Sequence, residues 1–219
     1  MISPRRRPLK ALILSLDVGQ SPAPSALAVI ERTGNPPAIY GVTYLRRWEL
    51  GSRYQQVVAD VKEIWNNPAV AQHRRELVVD KTGVGRPIVE LFEDAGLEPW
   101  GITVTGGFEV TQVNKAAEFH VPRRVLISTV QVVLQGQRVR IADTLSEAAQ
   151  LQQELLGLKL KVTPEGEQFE AGAPGGRDDL VMAVADGLWF GEYVLGEIDA
   201  DGDRRAGEES GKPDLPLRI

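Results

Sequence analysis

The chain has 219 residues, 42% of them apolar and 25% charged, with a formal net charge of -5. That length suits one domain plus tails around a sizeable core, and the acidic balance argues against a broadly basic nucleic-acid binder. The lack of Cys excludes disulfides and thiolate zinc sites, two histidines (His73 and His120) leave little for a His-rich one, and no apolar run approaches the ~18 residues of a membrane span.

Residues 1–10 read as a flexible basic lead-in, and no signal-peptide pattern follows them. Residues 11–18 read as a central strand, apolar on both faces until Ser15 and Asp17. Turns at Gly19–Pro24 and Thr33–Pro37 separate two more strands, Ser25–Arg32 and Ala38–Leu50, so the spacing predicts an antiparallel meander. Ser52 is the expected N-cap of a helix to about Asn66, with Tyr54, Val57, Val58, Val61, Ile64 and Trp65 at helical spacing. Glu76–Asp80 is a fourth strand. Thr82–Gly85 turns into a helix that carries Pro87 in its first turn and stops at Gly96. Glu98–Thr105 is a fifth strand, and the strand-helix-strand order predicts parallel pairing.

Helices are expected over Val121–Leu134 and Leu145–Leu156, the second with Ser146 as a cap, and a short extended piece at Arg138–Ile141 lies between them. Leu158–Val162 and Gln168–Ala171 read as a hairpin, and Arg177 to about Tyr193 as the last helix. Residues 196–219 are expected to form an acidic, disordered tail. From Gly191 onward eight acids face four bases, a tail charge of -4 that leaves the body near -1. The expected core domain is therefore 11–195, an α/β unit with a mixed five-stranded sheet, helices on both faces and a small β-hairpin.

Three carboxylates stand at element ends. Asp17 closes one apolar run, Asp80 closes a second, and Asp179, with Asp178 beside it, opens the apolar segment Leu180–Ala185. This element order resembles the RNase H-like fold, in which the first and fourth strands lie side by side under the last helix, and that resemblance implies that the acids converge. Converging carboxylates repel each other unless a cation lies between them, and an all-oxygen ligand set suits Mg²⁺. A helical wheel puts Asp178 nearer the apolar stripe and groups Asp179 with Asp186 on the more polar side.

The motifs resemble the nuclease domain of phage and prophage terminase large subunits. Leu16-Asp-Val-Gly19 followed by Ser25-Ala-Leu-Ala-Val29 looks like the first acidic motif of that family, and Val79-Asp-Lys-Thr-Gly-Val-Gly85 like the second. Gly176-Arg-Asp-Asp-Leu-Val-Met-Ala183 resembles a His-Asp-Asp-Leu-Val-x-Ala motif, with Arg177 where many relatives carry His. Val121–Leu126 and Gln135–Ile141 resemble the region that joins them. The resemblance implies an RNase H-like fold and a two-metal-ion endonuclease that cuts concatemeric viral DNA during genome packaging. It implies Asp17, Asp80 and Asp179 as catalytic residues. Asp17, Asp80, Asp178 and Asp179 would be the ligands of two Mg²⁺ or Mn²⁺ ions, with Asp179 favoured over Asp178 as the principal one. Double-stranded DNA is the implied substrate, and a packaging ATPase, a small terminase subunit or a portal the implied partners, in the cytoplasm of a bacterial host. A structure-selective resolvase of the same superfamily and a non-catalytic packaging module are the alternatives. No Gly-x-x-x-x-Gly-Lys-Ser/Thr loop occurs in the chain, so the likeness is to the nuclease domain alone.

With a negative net charge, DNA contacts have to come from local basic groups. The candidates are Lys81, Lys115, Arg123 and Arg124, with Arg46-Arg47 and Arg74-Arg75 as further clusters. The four tryptophans (Trp48, Trp65, Trp100 and Trp189) read as core residues rather than base-stacking platforms.

Overall fold

A computed structural model describes residues 10–20, 23–34, 36–113, 117–163, 166–171 and 177–205. The expectations for residues 1–9, for Lys115 and for the chain beyond 205 lie outside these residues. Strands β1 (Lys10–Asp17), β2 (Ala26–Thr33) and β3 (Ile39–Arg47) form the antiparallel meander. Strand β4 (Arg74–Asp80) returns parallel to β1, after helix α1 (Tyr54–Asn66) and the short α2 (Pro68–Ala71). Helix α3 (Arg86–Asp94) then leads to β5 (Trp100–Thr105), parallel to β4. Beyond it come β6 (Thr111–Gln112), β7 (Glu118–Pro122), helix α4 (Arg123–Gln135), β8 (Val139–Ile141) and helix α5 (Ala148–Gly157). A separate hairpin, β9 (Leu158–Thr163) and β10 (Gly166–Ala171), precedes helix α6 (Asp179–Trp189). A π-helical turn, Phe190–Val194, joins α6 to α7 (Leu195–Arg205). The main sheet has the order β6-β7-β5-β4-β1-β2-β3-β8.

Alternation along the strands divides the core into two apolar layers. Leu12, Leu14, Leu16, Leu77 and Val79 pack on one face with Val57, Val58 and Val61 of α1 and Ile88, Val89 and Phe92 of α3. Ala11, Ile13, Ala28, Ile30 and Val78 pack on the other with α4, α5 and α6. Each fully buried aliphatic or aromatic side chain contributes roughly 1.5–3 kcal/mol, and α6 is buried over its whole length. It comes close to the sheet through Gly187, and the π-helical turn after it does so through Gly191. A Cβ at Gly187 would lie 2.6 Å from Ile30 Cδ1, and one at Gly191 would lie 2.7 Å from Tyr40 Cε1.

The structure departs from the sequence expectation in four places. The main sheet has eight strands rather than five, because the short β6, β7 and β8 extend its two edges. Pro122 ends β7 and serves as the N-cap of α4, so the helix expected from Val121 starts at Arg123. Ser52 and Ser146 do not cap: Arg53 and Glu147 are the N-cap residues of α1 and α5, and the Ser52 hydroxyl donates to the Glu49 carbonyl at 2.7 Å. Helical structure also continues past Gly196 to Arg205. The acidic composition hides the reason: Asp199 lies between Arg32 Nη1 at 2.6 Å and Arg74 Nη1 at 2.8 Å, and the Arg32 side chain is 1% exposed. A buried guanidinium needs a counter-charge, and α7 supplies it.

Candidate metal centre

The same alternation that builds the core aims the acids. On β1 the α6-facing positions are Ala11, Ile13, Ser15 and then Asp17. On β4, Val78 faces α6, and Asp80 two residues later does the same. Parallel pairing puts Asp17 directly opposite Asp80. Two carboxylates thus end adjacent strands on one face of the sheet, below the start of α6.

Asp80 is buried, and the turn after it holds it in place. Its Oδ1 accepts the Thr82 N–H at 2.8 Å and the Thr82 hydroxyl. The Thr82 Oγ1 in turn accepts the Val104 N–H from β5 at 2.7 Å. Burial raises the Asp80 pKa, although the two Thr82 bonds and the Arg123 charge pull it down. Asp17 is half-buried. Burial first, then the charges of Asp80 and Asp179, push its pKa well above the ordinary carboxylate range.

Helix α6 delivers the remaining acids. Asp179 is buried at the first position of the helix, and burial raises its pKa against the Arg47 charge. The Asp178 side chain makes no capping bond and instead pairs with the Arg123 guanidinium. Asp186, seven residues after Asp179, lies on the same side of the helix. It is 0% exposed, and neither of its carboxylate oxygens has a hydrogen-bond partner. Burial, then Asp80 and Asp17, hold its pKa well above the usual value. The sequence did not single out Asp186 as a site residue. The one signal was its place beside Asp179 on the helical wheel.

Two arginines offset part of this charge. Arg123, the first residue of α4, pairs with Asp178 and lies in the field of Asp17, Asp186 and Asp80. Arg47, from the end of β3, pairs with the buried Glu154 of α5. Its Nε lies 3.1 Å from Asp179 Oδ2, but the N–H is off-line, so that contact is an ion pair without a hydrogen bond. The residues suit a hard divalent cation in kind: all the donors are carboxylate oxygens, and Asp179 Oδ2 and both Asp186 oxygens are buried without a hydrogen-bond partner. As placed, among the described residues, no three of them close into a ready-made cage.

The basic candidates are mostly engaged within the protein. Lys81 Nζ lies 2.8 Å from Glu118 Oε2. Arg123 faces inward, onto the acids. Arg124 covers the Phe108 ring at 4.8 Å. Arg46 pairs with Asp60 at 2.6 Å, and Arg75 lies over the Trp65 ring at 4.4 Å. Arg177 is exposed immediately before the aspartate pair. Trp48 and Trp189 are buried in the core, and Trp65 and Trp100 are partly buried against it.

A mixed sheet whose first and fourth strands present paired aspartates beneath a late helix is an RNase H-like α/β fold, and this chain has it. In particular, it is the fold of terminase nuclease domains. The chain is similar to the large terminase nuclease of thermophilic phage G20c crystallised with bound magnesium, at 19% identity and TM-score 0.59, over 83% of this chain and 82% of that one. It is similar to the large terminase nuclease domain of Thermus phage P74-26 at 15% identity and TM-score 0.57, over 83% and 80% of the two chains. The manganese-soaked human cytomegalovirus terminase nuclease domain aligns at 9% identity and TM-score 0.55, over 88% of each chain. No family model matches the sequence, and no curated protein matches it. Among the described residues, no helix is long and apolar enough to cross a membrane.

Proposed function

We propose that this protein is a divalent-metal-dependent DNA endonuclease of the large-terminase kind, cutting concatemeric viral DNA during packaging. The observation that carries this reading is the register of Asp17 against Asp80 on the α6 face of the sheet. Burial and the nearby Asp80 and Asp179 charges disfavour an ionised Asp17, and a cation between the carboxylates would offset that cost. The fold neighbours crystallised with magnesium or soaked with manganese support it.

In this reading Asp17, Asp80 and Asp179 hold two Mg²⁺ or Mn²⁺ ions, and Asp178 contributes from the rim. When bound, the ions supply Lewis-acid charge to the phosphoryl oxygens and acidify the attacking water. The chain's own residues do the positioning. Asp17 lies opposite Asp80 and in the field of both other acids. Thr82 commits one oxygen of Asp80 and fixes that carboxylate's plane. Arg123 and Arg47 offset the charge that the ions leave uncompensated. Arg177, exposed immediately before the aspartate pair, takes backbone phosphates, a contact indifferent to sequence and weakened by salt. A packaging ATPase, a small terminase subunit or a portal would be the partners in the host cytoplasm.

The test is plasmid cleavage in Mg²⁺ or Mn²⁺ by the wild type and by Asp17→Asn, with circular dichroism as the check on folding. The substitution removes the charge but keeps the shape, so cleavage should be lost from a folded protein. A folded variant that still cuts like the wild type would overturn the mechanism.

A further inference from the structure

We infer that Glu154 is a positioning residue for Asp179, acting on it through the start of α6 and through Arg47. This inference rests on the metal-site reading above for its consequence, but not for its geometry. Glu154 belongs to α5, far from the acidic motifs in sequence, and is 1% exposed. A buried carboxylate is costly unless its oxygens are satisfied. Its Oε2 accepts two backbone N–H groups of the first turn of α6, from Leu180 at 3.1 Å and Val181 at 3.2 Å. Its Oε1 pairs with Arg47 Nη2.

The first turn of a helix exposes N–H groups with no partner inside the helix, and the residue before the helix ordinarily serves them. Here that residue, Asp178, makes no capping bond because its carboxylate is turned to Arg123. Glu154 takes over the capping from 26 residues away. It thereby fixes where α6 begins, and Asp179 is the first residue of that helix. The second route is charge. Glu154 holds the Arg47 guanidinium, whose Nε lies 3.1 Å from Asp179 Oδ2. One carboxylate therefore sets the backbone under Asp179 and the cation beside it. An apolar residue would fill the same space but do neither.

The experiment compares wild type, Glu154→Ala and Glu154→Gln by two readouts. One is hydrogen exchange of the peptide containing Leu180 and Val181, measured without metal. The other is Mn²⁺ titration by calorimetry. Alanine should unprotect those amides while the β1 and β4 amides stay protected, and should weaken Mn²⁺ binding about tenfold, as loss of a group that orients a ligand does. Glutamine keeps an oxygen for the helix start and should recover most of the protection and part of the affinity. Unchanged exchange at Leu180 and Val181 in Glu154→Ala would overturn the inference. So would an equal loss of protection across the whole sheet, because Glu154 would then be a general stabiliser. A wild type that binds no Mn²⁺ would sink the metal reading instead, and the exchange result would still decide the role of Glu154.

Discussion

Asp186 shows how a single side chain couples the core to the site. Its two oxygens are buried without hydrogen bonds, and Asp80 and Asp17 add repulsion to the cost of burial. A carboxyl group whose folded pKa is raised binds more protons in the folded state than in the unfolded one. Its stabilising contribution is complete below the unfolded value of about 4 and is lost as pH rises through the folded value. Asn has no such titration, and removing the charge also relieves Asp17 and Asp80, which acts in the same direction. The stability of Asp186→Asn relative to wild type should therefore rise with pH above the unfolded carboxyl value of about 4, until Asp186 ionises in the folded protein. Its absolute offset includes about 1 kcal/mol for an unsatisfied amide, so the slope is the quantity to read. Urea unfolding at four pH values measures it, and parallel curves for the two proteins would refute the argument. Asp17, Asp80 and Asp179 were legible in the sequence because each ends or begins an apolar run. Asp186 was not, since a polar residue within a helix reads as a solvent-facing one until every side of the helix is known to be covered.

At the scale of elements, α6 is the part on which both packing and chemistry depend. Gly187 lets the helix axis approach β1 and β2, and Gly191 in the π-helical turn after it lets the chain approach β1 and β3. In a helix interior, Ala is preferred to Gly by about 1 kcal/mol, but at Gly187 the new methyl would meet Ile30 Cδ1 at 2.6 Å and Ser15 Cβ at 3.0 Å. Overpacking of that sort costs roughly 1–3 kcal/mol, so Gly187→Ala should destabilise. At Gly196 in α7 the same methyl meets nothing within 4 Å, so Gly196→Ala should be neutral or stabilising by up to ~1 kcal/mol. Chemical denaturation of the two variants tests the contrast directly, and equal effects would show that close approach is not what the glycines provide. Ser15 lies two residues before Asp17 on the same face, so the Gly187 variant should also bind Mn²⁺ more weakly. The meander, the two crossovers and α6 were readable because periodicity and turn residues mark them. The edge strands β6 and β7 were not, because two and five residues are too few to establish a period. The helix α7 was misread for a related reason: its partners, Arg32 and Arg74, belong to strands far back along the chain.

For the molecule as a whole, the site joins three separately built parts: β1 in the meander, β4 after the first crossover, and α6 at the end of the domain. Electrostatics set these parts against one another, because Asp17 is repelled by both Asp80 and Asp179 while Arg123 and Arg47 offset only part of the charge. A divalent cation bound between them would turn that repulsion into attraction and would bind the folded chain far better than the unfolded one. Linkage then requires stabilisation, by about 2.7 kcal/mol at a free ion concentration 100 times the dissociation constant. For a domain of this size that is a rise in Tm of roughly 5–10 °C. The rise should track ion concentration, appear with Mg²⁺ and Mn²⁺, and be absent at equal ionic strength in NaCl. Asp17→Asn should raise the metal-free Tm slightly, by removing the repelled charge, and should abolish most of the response to Mn²⁺. These two effects have opposite signs, which separates the site from a general salt effect on an acidic protein. A wild-type Tm indifferent to Mn²⁺, or an Asp17→Asn variant that responds as fully as wild type, would leave the in-register aspartates as a buried-charge feature of the fold with no role in holding a metal.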